Sequence, residues 1–132
     1  MTMTDVTGLS FAVLSGVTYE FEFFIIYTAG ASTTGSRWSI NGPSTTFLHY
    51  QSDYSLSTTS QTTNRGLSSY DVPSTANTSS AATGSNTAMI KGVIKPSANG
   101  TLIARFCSEI SGGAAAIVAK AGMSFLKYRV IA

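Results

Sequence analysis

The sequence predicts an all-β protein built as two packed antiparallel sheets or a closed barrel. Short runs rich in β-branched and aromatic residues recur along the chain, punctuated by Gly, Pro and Asn. Several runs alternate apolar with polar residues, the period of a half-buried strand. The one helix-tolerant stretch, "GGAAAIVAKAG", is short and bounded by glycines, so it too reads as strand.

Taken in order, residues 1–7 read as an N-terminal arm and residues 8–132 as a single domain of about eight strands. "LSFAVL" places Leu9, Phe11 and Val13 on one face. After the turn "SG", "TYEFEFFIIY" sets Tyr19, Phe21 and Phe23 against Glu20 and Glu22 on the opposite face. Phe24 and Ile26 then continue the glutamate side, so the wet face turns apolar halfway. Such a face invites aggregation if bare. Its cover is expected from a sister subunit or from another part of the chain. "SRWSI" and "TFLHYQ" follow. "TAMIKGVI" and "TLIARFC" read as a hairpin across "KPSANG", with Ile94 facing Thr101 and Met89 facing Phe106. "AAIVAK" and "SFLKYRVI", joined by "AGM", complete the set.

The segment 55–87 differs: 17 of its 33 residues are Ser or Thr. It reads as one long loop pinned at Leu67, Tyr70 and Val72, and long loops in compact domains carry function. With Tyr54 at its start, these residues are the expected partner contact.

At 132 residues the chain holds one core rather than two. Charged residues make up 11%, against roughly 25% in ordinary soluble domains. Hydroxyls replace them: 20 Ser and 18 Thr. The net charge of +2 comes from scattered basic residues with no phosphate-tracking stripe, which argues against nucleic acid. Apolar runs such as "FFIIY" are far shorter than the roughly 20 residues that span a bilayer, so no membrane insertion is expected. The N-terminus "MTMTDVTG" has no basic n-region. Cys107 stands alone and reads as a small buried apolar residue. The sequons at Asn77 and Asn99 arise readily by chance in so Ser/Thr-rich a chain.

No catalytic pattern emerges. His49 is the sole histidine, and a Ser-His-Asp triad would have to combine it with Asp53, without any nucleophile-elbow motif. Glu20 and Glu22 project in parallel from one strand rather than converging across a cleft. No spacing suits a metal or cofactor. "TNRG" and "SGGAAA" read as turns, not phosphate cradles. Arg105 and Glu109, four apart in "RFCSEI", share a face if the strand continues; Glu109 is expected to form a half-buried ion pair with Arg105 or Lys91, and a sharper reading sets that pair at a subunit contact.

Certain motifs recur in a fixed order: "Y-x-F-x-F" at Tyr19, Phe21 and Phe23, "TTG" at Thr33 to Gly35, and "NGP" at Asn41 to Pro43. "I-x-G-x-I-x-P-S-A-x-G-T-L" at Ile90 to Leu102, "R-F-x-S-E" at Arg105 to Glu109, and "K-A-G-x-S" at Lys120 to Ser124 follow. In this order they resemble a domain of tailed-bacteriophage virion proteins. The resemblance implies a β-sandwich of jelly-roll type, no chemistry, and assembly as a homo-oligomer, most commonly a trimer. It further implies a place in the virion, assembled in the host bacterial cytoplasm. A domain that fills nearly the whole chain points to a capsid decoration, cement or head-accessory subunit contacting the major capsid or tail proteins. The alternative is a tail or tail-tip module that binds a host receptor or surface glycan, for which Tyr50, Tyr54 and Tyr70 are either sugar-stacking residues or equally loop anchors.

Overall fold

The structure is a computed structural model that describes residues 2–110 and 116–132. Among the described residues the nine strands are β1 (Thr4–Val13), β2 (Tyr19–Ala29), β3 (Ser36–Asn41), β4 (Thr45–Ser55), β5 (Gln61–Leu67), β6 (Asn86–Pro96), β7 (Gly100–Ser108), β8 (Ile117–Ala119) and β9 (Phe125–Val130). They form a small sheet, β1-β7-β3, and a large one, β5-β4-β6-β2, with β8 and β9 both paired to the outer edge of β2. Every pairing is antiparallel. The protein is an all-β sandwich, as its composition and periodicity predict.

The pairings nest. β4 pairs with β5, β2 with β6 and β1 with β7. The free edge of β3 is met by the loop after β5, through Asp71 N to Ile40 O at 3.0 Å and Asn77 N to Ser36 O at 3.0 Å. A long ribbon rolled so that successive rungs fall in alternate sheets is a jelly roll. Here the loop stands where one strand of the ribbon would lie.

The core is the space between the sheets. β2 contributes Tyr19, Phe21, Phe23, Ile25 and Tyr27, β6 contributes Ile90 and Ile94, and β7 contributes Leu102 and Ala104. Trp38 sits between Tyr27 and the Phe106 ring, stacked on the latter at 4.9 Å. In β6, Gly92 is required by close approach: a Cβ there would meet His49 O at 2.3 Å and Tyr50 Cβ at 2.4 Å.

Four sequence expectations change. Residues 4–7 are the first half of β1 rather than an arm, and Met3 and Val6 are buried. The segment 55–87 is not one loop. It begins as the end of β4, contains β5, and gives way to β6 at Asn86. The predicted turn "TNRG" lies inside β5, where Gly66 at φ +66° makes a bulge against β4. β6 and β7 are not a hairpin: "KPSANG" carries the chain from one sheet to the other. Ile94 and Leu102 are both fully buried, each on the inner face of its own sheet, whereas the hairpin register would point them to opposite faces of one sheet. The strand predicted as "AAIVAK" and the turn "SGGAAA" fall partly outside the described residues, within which β8 covers Ile117–Ala119.

Candidate interaction face

The outer face of the large sheet is built rung by rung from strand register. One rung runs Phe125, Phe24, Met89, Asp53 across β9, β2, β6 and β4. The next runs Lys127, Glu22, Lys91, Gln51, and the one after Arg129, Glu20, Val93, His49. The face therefore has one half that is apolar on β9, β2 and β6 and ends at Asp53 on β4, and one charged half. In the charged half the acids of β2 lie between basic strands on either side.

The break in alternation within "YEFEFFIIY" is where these halves meet. The inward residues of β2 are buried, and Glu20, Glu22, Phe24, Ile26 and Thr28 are half-buried. Phe24 stacks on Phe125 at 5.0 Å between ring centres. Lys127 Nζ lies 5.4 Å from the same Phe125 ring. Beside Ile26 the edge ladder is interrupted. The run 120–124 makes an excursion between β8 and β9, and Ile26 N donates to the Ser124 hydroxyl at 3.0 Å, while Lys120 N donates to Ile26 O at 2.9 Å. The cover thus comes from the same chain, from its C-terminal strands rather than from the segment 55–87, and it flanks the face without roofing it. Phe125, Val118 and Met123 remain 42%, 50% and 60% exposed.

The Arg105–Glu109 pair does not form. β7 ends at Ser108, and the Glu109 carboxylate instead accepts from Gly35 N at 2.7 Å. Arg105 is held by Asp71 at 2.8 Å, Asp5 at 3.0 Å and the Met3 carbonyl at 2.9 Å. Asp71, at φ +58°, also takes Asn41 Nδ2 at 2.7 Å, while its carbonyl accepts from Arg37. Arg105 thus ties β1 and the loop onto β7.

Tyr54, Leu67, Tyr70 and Val72 anchor their segment inward. Tyr54 is buried, its hydroxyl accepting from Asn64 at 3.2 Å. The other three pack against the core. Tyr70 donates to Pro43 O at 2.6 Å, and burial, aided by neighbouring Tyr50, pushes its phenol up to about 12. Burial raises Tyr27 against the pull of the Ser36 and Ser55 hydroxyls, Tyr50 against Ser39, and Tyr54 against Asn64.

His49 is exposed beside Phe47, and Asp53 is buried on the same face four residues on, about 14 Å away by strand rise, beyond reach of a proton relay. Cys107 is buried, as predicted. Asn77 donates to Ser55 O and Thr62 Oγ1, so its amide is engaged within the fold.

Sequence reasoning missed a further feature besides β5. The bulge at residues 6–9 of β1 and the excursion at 120–124 face each other around a cavity of about 530 Å³, lined by Val6, Leu9, Phe106, Ile117 and Lys120 among others. Gly8 at φ +90° and Gly122 at φ +78° were the available signals.

Compared with known proteins, the chain matches no family model, no curated protein and no solved structure.

Proposed function

We propose that this chain is a non-enzymatic structural subunit of a tailed-phage particle, a self-associating capsid decoration, cement or head-accessory protein. The observation that carries the reading is the apolar half of the large sheet's outer face. Among the described residues, Phe24 and Ile26 are flanked but not roofed by their own chain, and Phe125 and Val118 extend the patch. Apolar surface gathered in this way marks contact with another protein. A surface rich in hydroxyls and poor in charge suits a protein whose work is done by interfaces. The motif order from Tyr19 to Ser124 supplies the virion context.

The test has two parts. Deleting the reading frame from the genome that encodes it should yield particles that lack a regular surface density and burst more readily on heating. Particles of unchanged appearance and stability would sink the reading. Particles that are intact but fail to adsorb to cells would favour a receptor-binding tail module instead. In solution, Phe24→Asp combined with Ile26→Asp should give monomers or aggregates by light scattering, and an unchanged oligomer would exclude this patch as the contact.

A further inference from the structure

We infer that two copies of this chain pack with the outer faces of their large sheets against each other, about a two-fold axis running between β2 and β6. The inference rests on the self-association part of the reading above and names the face, the partner and the register.

The argument is self-complementarity. Glu20 and Glu22 make β2 an acidic stripe, with Lys91 on β6 beside Glu22, and Lys127 and Arg129 on β9 beside Glu22 and Glu20. Adjacent stripes lie about 4.8 Å apart. A two-fold axis parallel to the strands keeps each rung opposite the same rung and exchanges strands across the axis. Placed on β2 itself, it sets glutamates against glutamates. Placed between β2 and β6, it sets Glu22 of each copy over Lys91 of the other and Phe24 over Met89. The same operation lays Lys127 of β9 over Gln51 and Arg129 over His49 of β4. Glu22 meets Lys91, the two glutamate stripes separate and Phe24 meets Met89, while Phe125 falls over Asp53 and Glu20 over Val93.

The extent is adequate. This axis engages β9, β2, β6 and β4 in both copies, whereas an axis between β2 and β9 engages those two strands alone. β2 has 11 residues. At about 3.4 Å per residue and about 4.8 Å per strand the engaged face covers roughly 700 Å². That approaches the roughly 800 Å² per partner of a standard stable interface. Edge-to-edge growth through β9 is disfavoured. A second β9 laid antiparallel in the registers centred on the strand brings Lys127 opposite Lys127 or Arg129.

The experiment is charge reversal followed by mixing, read by sedimentation velocity. Wild-type protein should sediment as a dimer. Glu22→Lys and Lys91→Glu should each self-associate at least tenfold more weakly, because each homodimer then opposes like charges twice. An equimolar mixture should recover the dimer, because every cross-axis pair is again opposite. Self-association of both single variants at wild-type strength overturns the inference, as does failure of the folded variants to recover on mixing. A wild-type trimer overturns the two-fold and leaves the homo-oligomer reading intact, whereas a wild-type monomer overturns both. If either variant fails to fold by circular dichroism, carbodiimide cross-linking of mixed isotopically light and heavy wild-type protein replaces it. A Glu22–Lys91 peptide pairing light with heavy supports the contact. Recovery of same-isotope peptides alone overturns it.

Discussion

The free edges of β3 and β9 present the same problem, a row of backbone groups without a neighbouring strand, and the chain treats them in opposite ways. At β3 the edge is sealed from within. Asp71 N reaches Ile40 O, Asn77 bonds both N and O of Ser36, and the Ser52 hydroxyl donates to Trp38 O at 2.6 Å. Short polar side chains thus complete a ladder that a strand would otherwise complete. At β9 the edge is guarded by charge, with Lys127 and Arg129 on its outer side. The Ser and Thr content that looks like featureless surface in the sequence is, along β3, a substitute for secondary structure. A sealed edge should be costly to disturb, and a guarded one should be cheap to disturb but consequential for association.

The sharpest way to break the comparison is Gly35→Ala. Its Cβ would stand 1.7 Å from the Asn77 carbonyl oxygen, which is backbone and cannot swing aside. The loop must leave the β3 edge, at an expected cost above about 3 kcal/mol by urea denaturation. A cost under about 1 kcal/mol would mean the seal is incidental. Asn77→Ala comes next. It removes hydrogen bonds to Ser36 N, Ser55 O and Thr62 Oγ1 at 2.9, 2.9 and 2.8 Å. The expected loss is about 2–3 kcal/mol, checked by the same denaturation.

Alkali tests the same seam more gently. The Tyr70 phenol is raised from 10.0 to about 12 in the folded protein. The folded state therefore holds this proton more tightly than the unfolded chain does. The associated stability is full below pH 10, declines as pH rises, and is gone once pH has passed through about 12. Thermal melts should fall across that window, and Tyr70→Phe should flatten the fall. An identical decline in the variant would assign it to other groups. Smallest in stability is Lys127→Thr with Arg129→Thr on the guarded edge. This pair should change unfolding free energy by less than about 1 kcal/mol, since Arg129 pairs with Glu20 at an exposed site. It should nevertheless promote concentration-dependent assembly or fibre formation, visible by light scattering.

Much of the fold is legible in the chain. The inward alternation of β2, the apolar runs of β6 and β7 and the Trp38 strand all stand where periodicity places them. β5 escapes notice because "QTTNRGL" carries almost no apolar residue: it is an edge strand held by backbone pairing to β4. The β6–β7 connection misleads because each strand carries apolar residues on both faces, so a local hairpin satisfies the pattern as well as a crossing does. Arg105 was identifiable as a charge needing a partner. The partners, Asp5 and Asp71, are remote in sequence, and only the nested pairing of β1 with β7 brings them there. Phe24 and Ile26 were the most informative residues, because a broken period on one strand locates a change of environment without requiring its neighbours to be known.

The nested ribbon also orders events in time. β4 and β5 are close in sequence and can pair as soon as both exist, whereas β2 finds β6 only when Phe23 can reach Ile90, and β1 finds β7 later still. Pairings of such wide sequence separation are slow to form. During synthesis the apolar end of β2 therefore emerges long before β6, β8 and β9 exist to flank it. The interval between translating Phe24 and translating Phe125 is when this chain is most prone to associate wrongly, and slower translation through that stretch should lower its soluble yield.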